Sequence, residues 1–281
     1  MKSATNVLIS DDELFASLLL SFESRVYFSK NISNELLYWE LFADRTELDI
    51  WLSQNVTNSE FDFLLWPHEH FQAPKLVVFD MDSTFIQIEV IDELARQHGV
   101  GDSVAKVTEA AMRGEIDFSK SLISRVACLQ GLAYSTIDRI ANNLPLSLGV
   151  DSLVEQSKKN DVKIAIVSGG FTPFVQHLKD TMGLFKVKAN DLEIVDGKLT
   201  GKVLGSIVDA QAKADFVNWL KHELKISNNE ILTIGDGAND LLMMKESGFN
   251  LAYRAKPAVQ EQASGRMNVT QLDHLLCLFK W

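Results

Sequence analysis

Three short apolar runs, each ending abruptly in a polar cluster, constrain this chain more than any other feature. They are Lys75-Leu76-Val77-Val78-Phe79, Lys163-Ile164-Ala165-Ile166-Val167 and Ile231-Leu232-Thr233-Ile234. A continuous apolar run rich in β-branched residues suits a strand buried on both faces, as in a parallel sheet. Helical stretches separate the runs, for example Asp151 to Asn160 and Thr172 to Met182. Strand, helix, strand alternation predicts a doubly wound α/β domain. Two insertions interrupt the rhythm. Residues 86–148 read as several helices with no strand: Ile88, Ile91, Leu94 and Ala95 recur at helical spacing, as do Val104, Val107 and Ala111. Such a segment after the first strand reads as a helical cap over the sheet. The second insertion, Leu192 to Leu204, carries Asp196-Gly197 between alternating residues, which predicts a two-residue hairpin turn.

Residues 1–72 differ from the rest, with twelve Asp and Glu against four Lys and Arg. The stretch from Trp66 to Pro74 has two prolines bracketing polar residues and reads as a linker. The expected organisation is a small N-terminal α/β domain over 1–72 and a main domain over 73–281. Within the first, Leu36 to Phe42 suits a strand and Thr46 to Asn55 a helix. A hydrophobic fraction of 46% over 281 residues supplies one sizeable core and a smaller companion.

Composition also excludes partners. A formal net charge of −11 makes nucleic acid a poor one, since a phosphate-reading surface is normally basic. No run approaches the roughly 20 apolar residues that span a bilayer. The apolar run Leu14 to Phe22 follows Asp11, Asp12 and Glu13, where a secretory signal has basic residues. Cys128 and Cys277 form no C-x-x-C pair and read as reduced thiols. The expectation is a soluble, cytoplasmic protein; association as a homodimer stays open.

The polar clusters at the strand ends carry the chemistry. They are Asp80-Met81-Asp82-Ser83-Thr84, Ser168-Gly169-Gly170, and Gly235-Asp236-Gly237-Ala238-Asn239-Asp240. Ligands of open α/β sheets bind just outside the carboxyl ends of the strands, so the three turns are expected to converge on one cleft. Asp80, Asp236 and Asp240 would then crowd like charges together. Such an oxygen-only set suits a hard cation, Mg2+ above all. Ser168 and the glycines after it offer a hydroxyl and close-approaching N–H groups to a phosphate. Lys213, in the helical stretch from Asp209 to Leu224, is a candidate to neutralise a further charge.

In this order the motifs resemble the four motifs of the haloacid dehalogenase superfamily, and more closely the phosphoserine phosphatases. The similarity extends to Ile86-Gln87-Ile88-Glu89, to Ala111 through Phe118, to Ser121 through Val126, and to Val208 through Ala214. The resemblance covers roughly residues 74–270. It implies a parallel-sheet core with an inserted helical cap, and hydrolysis of O-phospho-L-serine, the last step of serine biosynthesis. It implies Asp80 as nucleophile, forming an aspartyl-phosphate, and Asp82 as general acid and then base. It implies Mg2+ held by Asp80, Asp236 and the backbone carbonyl of Asp82, with Asp240 holding the metal's water shell or Lys213. Ser168, Gly169, Gly170, Lys213 and Asn239 would surround the phosphoryl group. In the cap, Glu89 would pair with the substrate ammonium and Arg125 with its carboxylate, while Met112 and Phe118 form an apolar wall. Relatives often carry an ACT-like regulatory domain ahead of this core. Residues 1–72 look short for one and read as a reduced module at most.

Two other readings compete. A phosphoserine:homoserine phosphotransferase would share the core and differ in acceptor. A non-enzymatic sensor on a dead core is disfavoured, because the acidic set and Lys213 are all present.

Overall fold

The computed structural model describes residues 24–32, 35–42, 62–67, 73–268 and 270–279. Alternation in the three apolar runs explains how the sheet is built. Val77 and Phe79 pack into one apolar cluster, with Ile164, Ile166, Leu232 and Ile234. Leu76 and Val78 pack into another on the opposite face, with Ala165, Val167 and Ile231. Successive side chains of a strand leave by opposite faces, so strands covered on both sides are apolar throughout. Each large side chain so buried contributes roughly 1.5–3 kcal/mol.

The strands are β1 (Ser24–Ile32), β2 (Glu35–Phe42), β3 (Asp62–Pro67), β4 (Leu76–Phe79), β5 (Lys163–Phe171), β6 (Lys186–Val195), β7 (Lys198–Leu204), β8 (Ile231–Gly235), β9 (Phe249–Tyr253) and β10 (Gly265–Met267). They form one ten-stranded sheet in the order β2-β1-β3-β10-β9-β8-β4-β5-β6-β7. The stretch from β10 to β6 is parallel throughout. β4 lies between β5 and β8, with Phe79 level with both Ile166 and Ile234. That register brings the three polar turns to the same edge of the sheet.

The expected insertion after β4 holds four helices: α1 (Val90–His98), α2 (Gly101–Met112), α3 (Phe118–Cys128) and α4 (Tyr134–Ala141). An isolated bridge from Ile86 to Leu146 closes the base of the insertion. Next come α5 (Val150–Lys159), α6 (Thr172–Met182), α7 (Ala210–Leu224) and α8 (Leu241–Lys245). The β6–β7 hairpin turns through Asp196 at φ 48° and Gly197 at φ 72°. Left-handed conformations at both central residues mark the two-residue turn that the sequence predicts.

The N-terminal strands extend the main sheet. β3 pairs antiparallel with β10, with Leu64 level with Gly265. Asp62 is buried and accepts hydrogen bonds from Asn268 N (2.6 Å), Thr270 N (2.7 Å) and Thr270 Oγ1 (2.5 Å). Trp66 and Pro67, expected in a linker, end β3 instead. β2 covers the strand expected from Leu36 to Phe42. The helix expected from Thr46 to Asn55 lies outside the described residues. No helix among the described residues is long and apolar enough to cross a membrane.

Candidate active site

Asp80 follows directly on β4, and its N–H donates to Ile234 O at 2.9 Å. The chain then reverses in a wide turn closed by Ile86 N to Met81 O at 3.0 Å. Ser83 makes the reversal at φ 56°, a conformation that costs a non-glycine residue of order 1–2 kcal/mol. Its hydroxyl donates to Glu89 Oε1 at 2.7 Å, and its N–H to Ile88 O at 3.2 Å. The turn therefore holds Glu89 close to the two aspartates that precede it.

Lys213 is the charge centre of the site and is 1% exposed. Its Nζ lies 2.8 Å from Asp80 Oδ1 and 2.7 Å from Asp240 Oδ1. Burial works against the ammonium, but Asp240 and Asp80 outweigh it and raise its pKa. The residue sits one turn into α7, whose N-terminus is capped by Asp209 accepting from Ala212 N at 2.9 Å. Asp240 Oδ2 accepts from Asp236 N (3.2 Å) and Gly237 N (3.1 Å), so both of its oxygens are committed to the protein. A side chain on Gly235 would collide with the Asp240 carboxylate, which explains glycine there.

The remaining carboxylates are uncomfortable as anions. Asp80 Oδ1 also accepts from Met81 N at 2.7 Å. Burial and then Asp240 push the Asp80 pKa well up, against Lys213. Asp82 accepts from Val90 N (2.8 Å) and Ser168 Oγ (3.3 Å). Burial and then the Glu89 carboxylate push its pKa to about 7. Asp236 accepts from Thr84 Oγ1 at 3.3 Å, and burial, Asp240 and Glu89 push it to about 6.

Asp80, Asp236 and Asp240 offer oxygens that all lie within 4.8 Å of one another. Three carboxylates against one buried ammonium leave a surplus of negative charge, and the donors are all oxygen. That chemistry fits a hard divalent cation.

A cavity of about 430 Å³ opens above these groups. Its walls include Asp80, Asp82, Gly169, Gly170, Asp236 and Asn239 from the strand ends, and Glu89, Met112, Phe118 and Arg125 from the helical insertion. Ser168 and Lys213 are buried at its base, in contact with Asp82 and Asp80 respectively. Phe118 packs tightly against Gly169, whose missing Cβ would stand 3.0 Å from the ring. Met112 is 79% exposed and stands at the rim. Arg125 Nε is buried with no hydrogen-bond partner, and burial lowers the guanidinium pKa despite Asp92, Glu89 and Asp82. All the residues picked out from sequence thus meet at one place.

Sequence reasoning passed over several neighbours. Ser83 and Thr84 lie inside a recognised motif, but nothing local says that their hydroxyls hold Glu89 and Asp236. Lys256 lines the cavity, donates its N–H to Asp236 O at 3.1 Å, and opposes the upward shift of Asp236. It follows β9 in a stretch with no distinguishing pattern.

A parallel sheet with an aspartate pair at the end of β4, a buried lysine beside it and a helical insertion overhead defines a class of hydrolases. The model of the haloacid dehalogenase-like hydrolases matches residues 74–248. A phosphoserine phosphatase of Archaeoglobus fulgidus is 40% identical over 238 residues, covering 84% of this chain and 69% of its own length. The crystal structure of a probable phosphoserine phosphatase from Vibrio cholerae, unliganded, aligns with a TM-score of 0.76 at 34% identity, covering 96% of this chain and 90% of that one. A structure described as a phospho-aspartyl intermediate analogue of phosphoserine phosphatase aligns at 0.68 and 34% identity, covering 74% and 99%. The chain belongs to the haloacid dehalogenase-like hydrolases and, within them, to the phosphoserine phosphatases.

Proposed function

We propose that the protein hydrolyses O-phospho-L-serine to serine and phosphate through an aspartyl-phosphate on Asp80. One observation carries this reading: a single cavity is lined both by the Asp80–Asp82 pair and by Glu89 and Arg125, side chains of opposite charge. Phosphoserine carries a phosphate, an ammonium and a carboxylate, and the cavity offers a partner for each. The buried Arg125 Nε without a partner suits a carboxylate fork.

In the first step Asp80 Oδ2 attacks phosphorus, since Oδ1 already accepts from Met81 N and Lys213. The Oδ2–P bond forms as the bond from phosphorus to the seryl oxygen breaks. That oxygen takes a proton from Asp82, whose pKa near 7 keeps part of the population protonated at neutral pH. Asp82, now a carboxylate, then accepts a proton from the water that attacks phosphorus and releases phosphate from Asp80. Lys213, Ser168, Gly169, Gly170 and Asn239 stabilise the charge on the transferring oxygens. Mg2+, held by Asp80, Asp236 and the Asp82 carbonyl, would offset the negative charge of the phosphoryl group. Asp240 serves by fixing Lys213 and the loop that carries Asp236.

The test is turnover of a panel of phosphorylated amino acids with Mg2+, followed by acid quench of the enzyme. Free phosphate from phosphoserine and an acid-stable, hydroxylamine-sensitive label on Asp80 are expected. A label on serine or histidine would overturn the mechanism. Phosphohomoserine formed in place of free phosphate when homoserine is added would favour the phosphotransferase reading.

A further inference from the structure

The Ser168-Gly169-Gly170 segment at the end of β5, where the pairing with β6 shifts register between Val167 and Phe171, is weakly specified by its own residues, because two of the three are glycines with wide conformational freedom. The structure supplies the restraint from β6. Asn190 is 1% exposed and fully engaged. Its Nδ2 donates to Gly169 O at 2.8 Å and to Gly170 O at 3.2 Å, and its Oδ1 accepts from Val208 N at 2.8 Å. One side chain therefore ties the end of β5 to the segment that leads into α7. Val208 precedes Asp209, the cap of the helix that carries Lys213.

The consequence follows from peptide geometry. In a trans peptide the C=O of one residue and the N–H of the next point in opposite directions. With Gly169 O drawn onto Asn190, Gly170 N–H is aimed the other way, and it donates to Ser168 Oγ at 2.8 Å. A hydroxyl that accepts from the backbone has its own proton free for a partner. That proton goes to Asp82 Oδ2 at 3.3 Å here.

We infer that Asn190 is a positioning residue for phosphoryl binding: it sets the peptide planes of the Ser168–Gly170 segment, and with them the direction of the Ser168 hydroxyl, relative to Lys213. Asn190 acts through Ser168 and the two glycines after it, without touching the reacting atoms. The inference rests on the proposed phosphatase reading and adds a residue that its motifs do not contain.

The test compares Asn190→Ala and Asn190→Asp with wild type. Aspartate keeps the acceptor for Val208 N–H but turns an oxygen toward two carbonyls. Four quantities are measured: folded fraction by circular dichroism, kcat and KM on phosphoserine, the same on p-nitrophenyl phosphate, and the inhibition constant of inorganic phosphate. Displacing a binding group by a fraction of an ångström to 1 Å costs up to about 10²-fold. Both variants should therefore bind inorganic phosphate about tenfold more weakly and lose about 10–100-fold in kcat/KM. The loss should be the same factor on both substrates, because the phosphoryl group is what they share. A merely structural role would lower the amount of active enzyme and leave the phosphate constant unchanged. An unchanged constant, a loss confined to phosphoserine, or collapse of both variants to unfolded protein would each overturn the inference. If wild type cleaves p-nitrophenyl phosphate but not phosphoserine, the substrate assignment fails, while the phosphate constants still decide the role of Asn190. If it cleaves neither, the phosphatase reading itself fails, and phosphate binding measured directly by calorimetry takes the place of the inhibition constant.

Discussion

The carboxylate cluster should make the metal-free protein lose stability as pH rises, and Asp82→Asn should relieve much of that loss. Asp82 is displaced from 3.8 to about 7 and Asp236 from 3.8 to about 6. Both folded-state values lie above the unfolded ones, so between pH 4 and 7 the folded protein binds more protons than the unfolded chain. The stability these two groups contribute is then fully present below about pH 4 and is lost as pH rises through 6 and 7. One unit of displacement is about 1.4 kcal/mol, so the Asp82 shift corresponds to about 4 kcal/mol at full ionisation. Between pH 5 and 8 the two groups together predict a fall of about 3–4 kcal/mol, less whatever other groups contribute. Asparagine at 82 keeps the shape and can still accept from Val90 N–H while offering its amide to Ser168 Oγ. The variant should therefore be about 4 kcal/mol more stable than wild type at pH 8 and only about 1.5 kcal/mol more stable at pH 5, where the folded Asp82 carboxyl is still largely protonated. The assay is urea unfolding of both proteins in excess chelator at pH 5 and pH 8. Wild-type stability that is flat or rising with pH, together with a variant no more stable at pH 8, would refute the picture of mutually repelling buried carboxylates.

Other expectations follow from the same geometry. Chelation should abolish turnover and Mg2+ restore it, and Mg2+ should raise the pH 8 unfolding midpoint because it binds the folded state alone; full activity in excess chelator would rule the site out. Ca2+ should bind but support little turnover, since its looser shell misplaces the in-line geometry. Arg125→Ala should lose most activity on phosphoserine and much less on p-nitrophenyl phosphate, which has no carboxylate; equal losses would mean that Arg125 supports the fold or the phosphate. A chain beginning at Ala73 keeps every catalytic group but loses the partner of β10 and the three hydrogen bonds to Asp62. It should retain Mg2+-dependent activity where soluble, yet aggregate more readily than the full chain on size-exclusion chromatography, because an uncovered strand edge is a pairing surface.

Sequence alone determined the elements whose signals are local. The runs at 76–79 and 164–167 are apolar on both phases, and 231–234 is so but for Thr233, which suits strands covered on two faces. Asp196-Gly197 specified its hairpin because only a few residue pairs adopt two left-handed conformations in succession. The catalytic set was legible because each of its turns directly follows such a strand, and a shared sheet edge is implied by parallel pairing. Tertiary structure decided what depends on segments far apart in the chain. The pairing of Leu64 with Gly265 joins residues about two hundred positions apart, and no local pattern marks β3 as the partner of β10. The hydroxyls of Ser83 and Thr84, the ammonium of Lys256 and the amide of Asn190 take their roles from what folding sets beside them. The displaced carboxylates belong here too. A pKa is set by the burial and charge gathered around a group, and Asp82 near 7 arises from burial at the sheet edge and the Glu89 carboxylate, which outweigh the hydrogen bond from Val90 N–H.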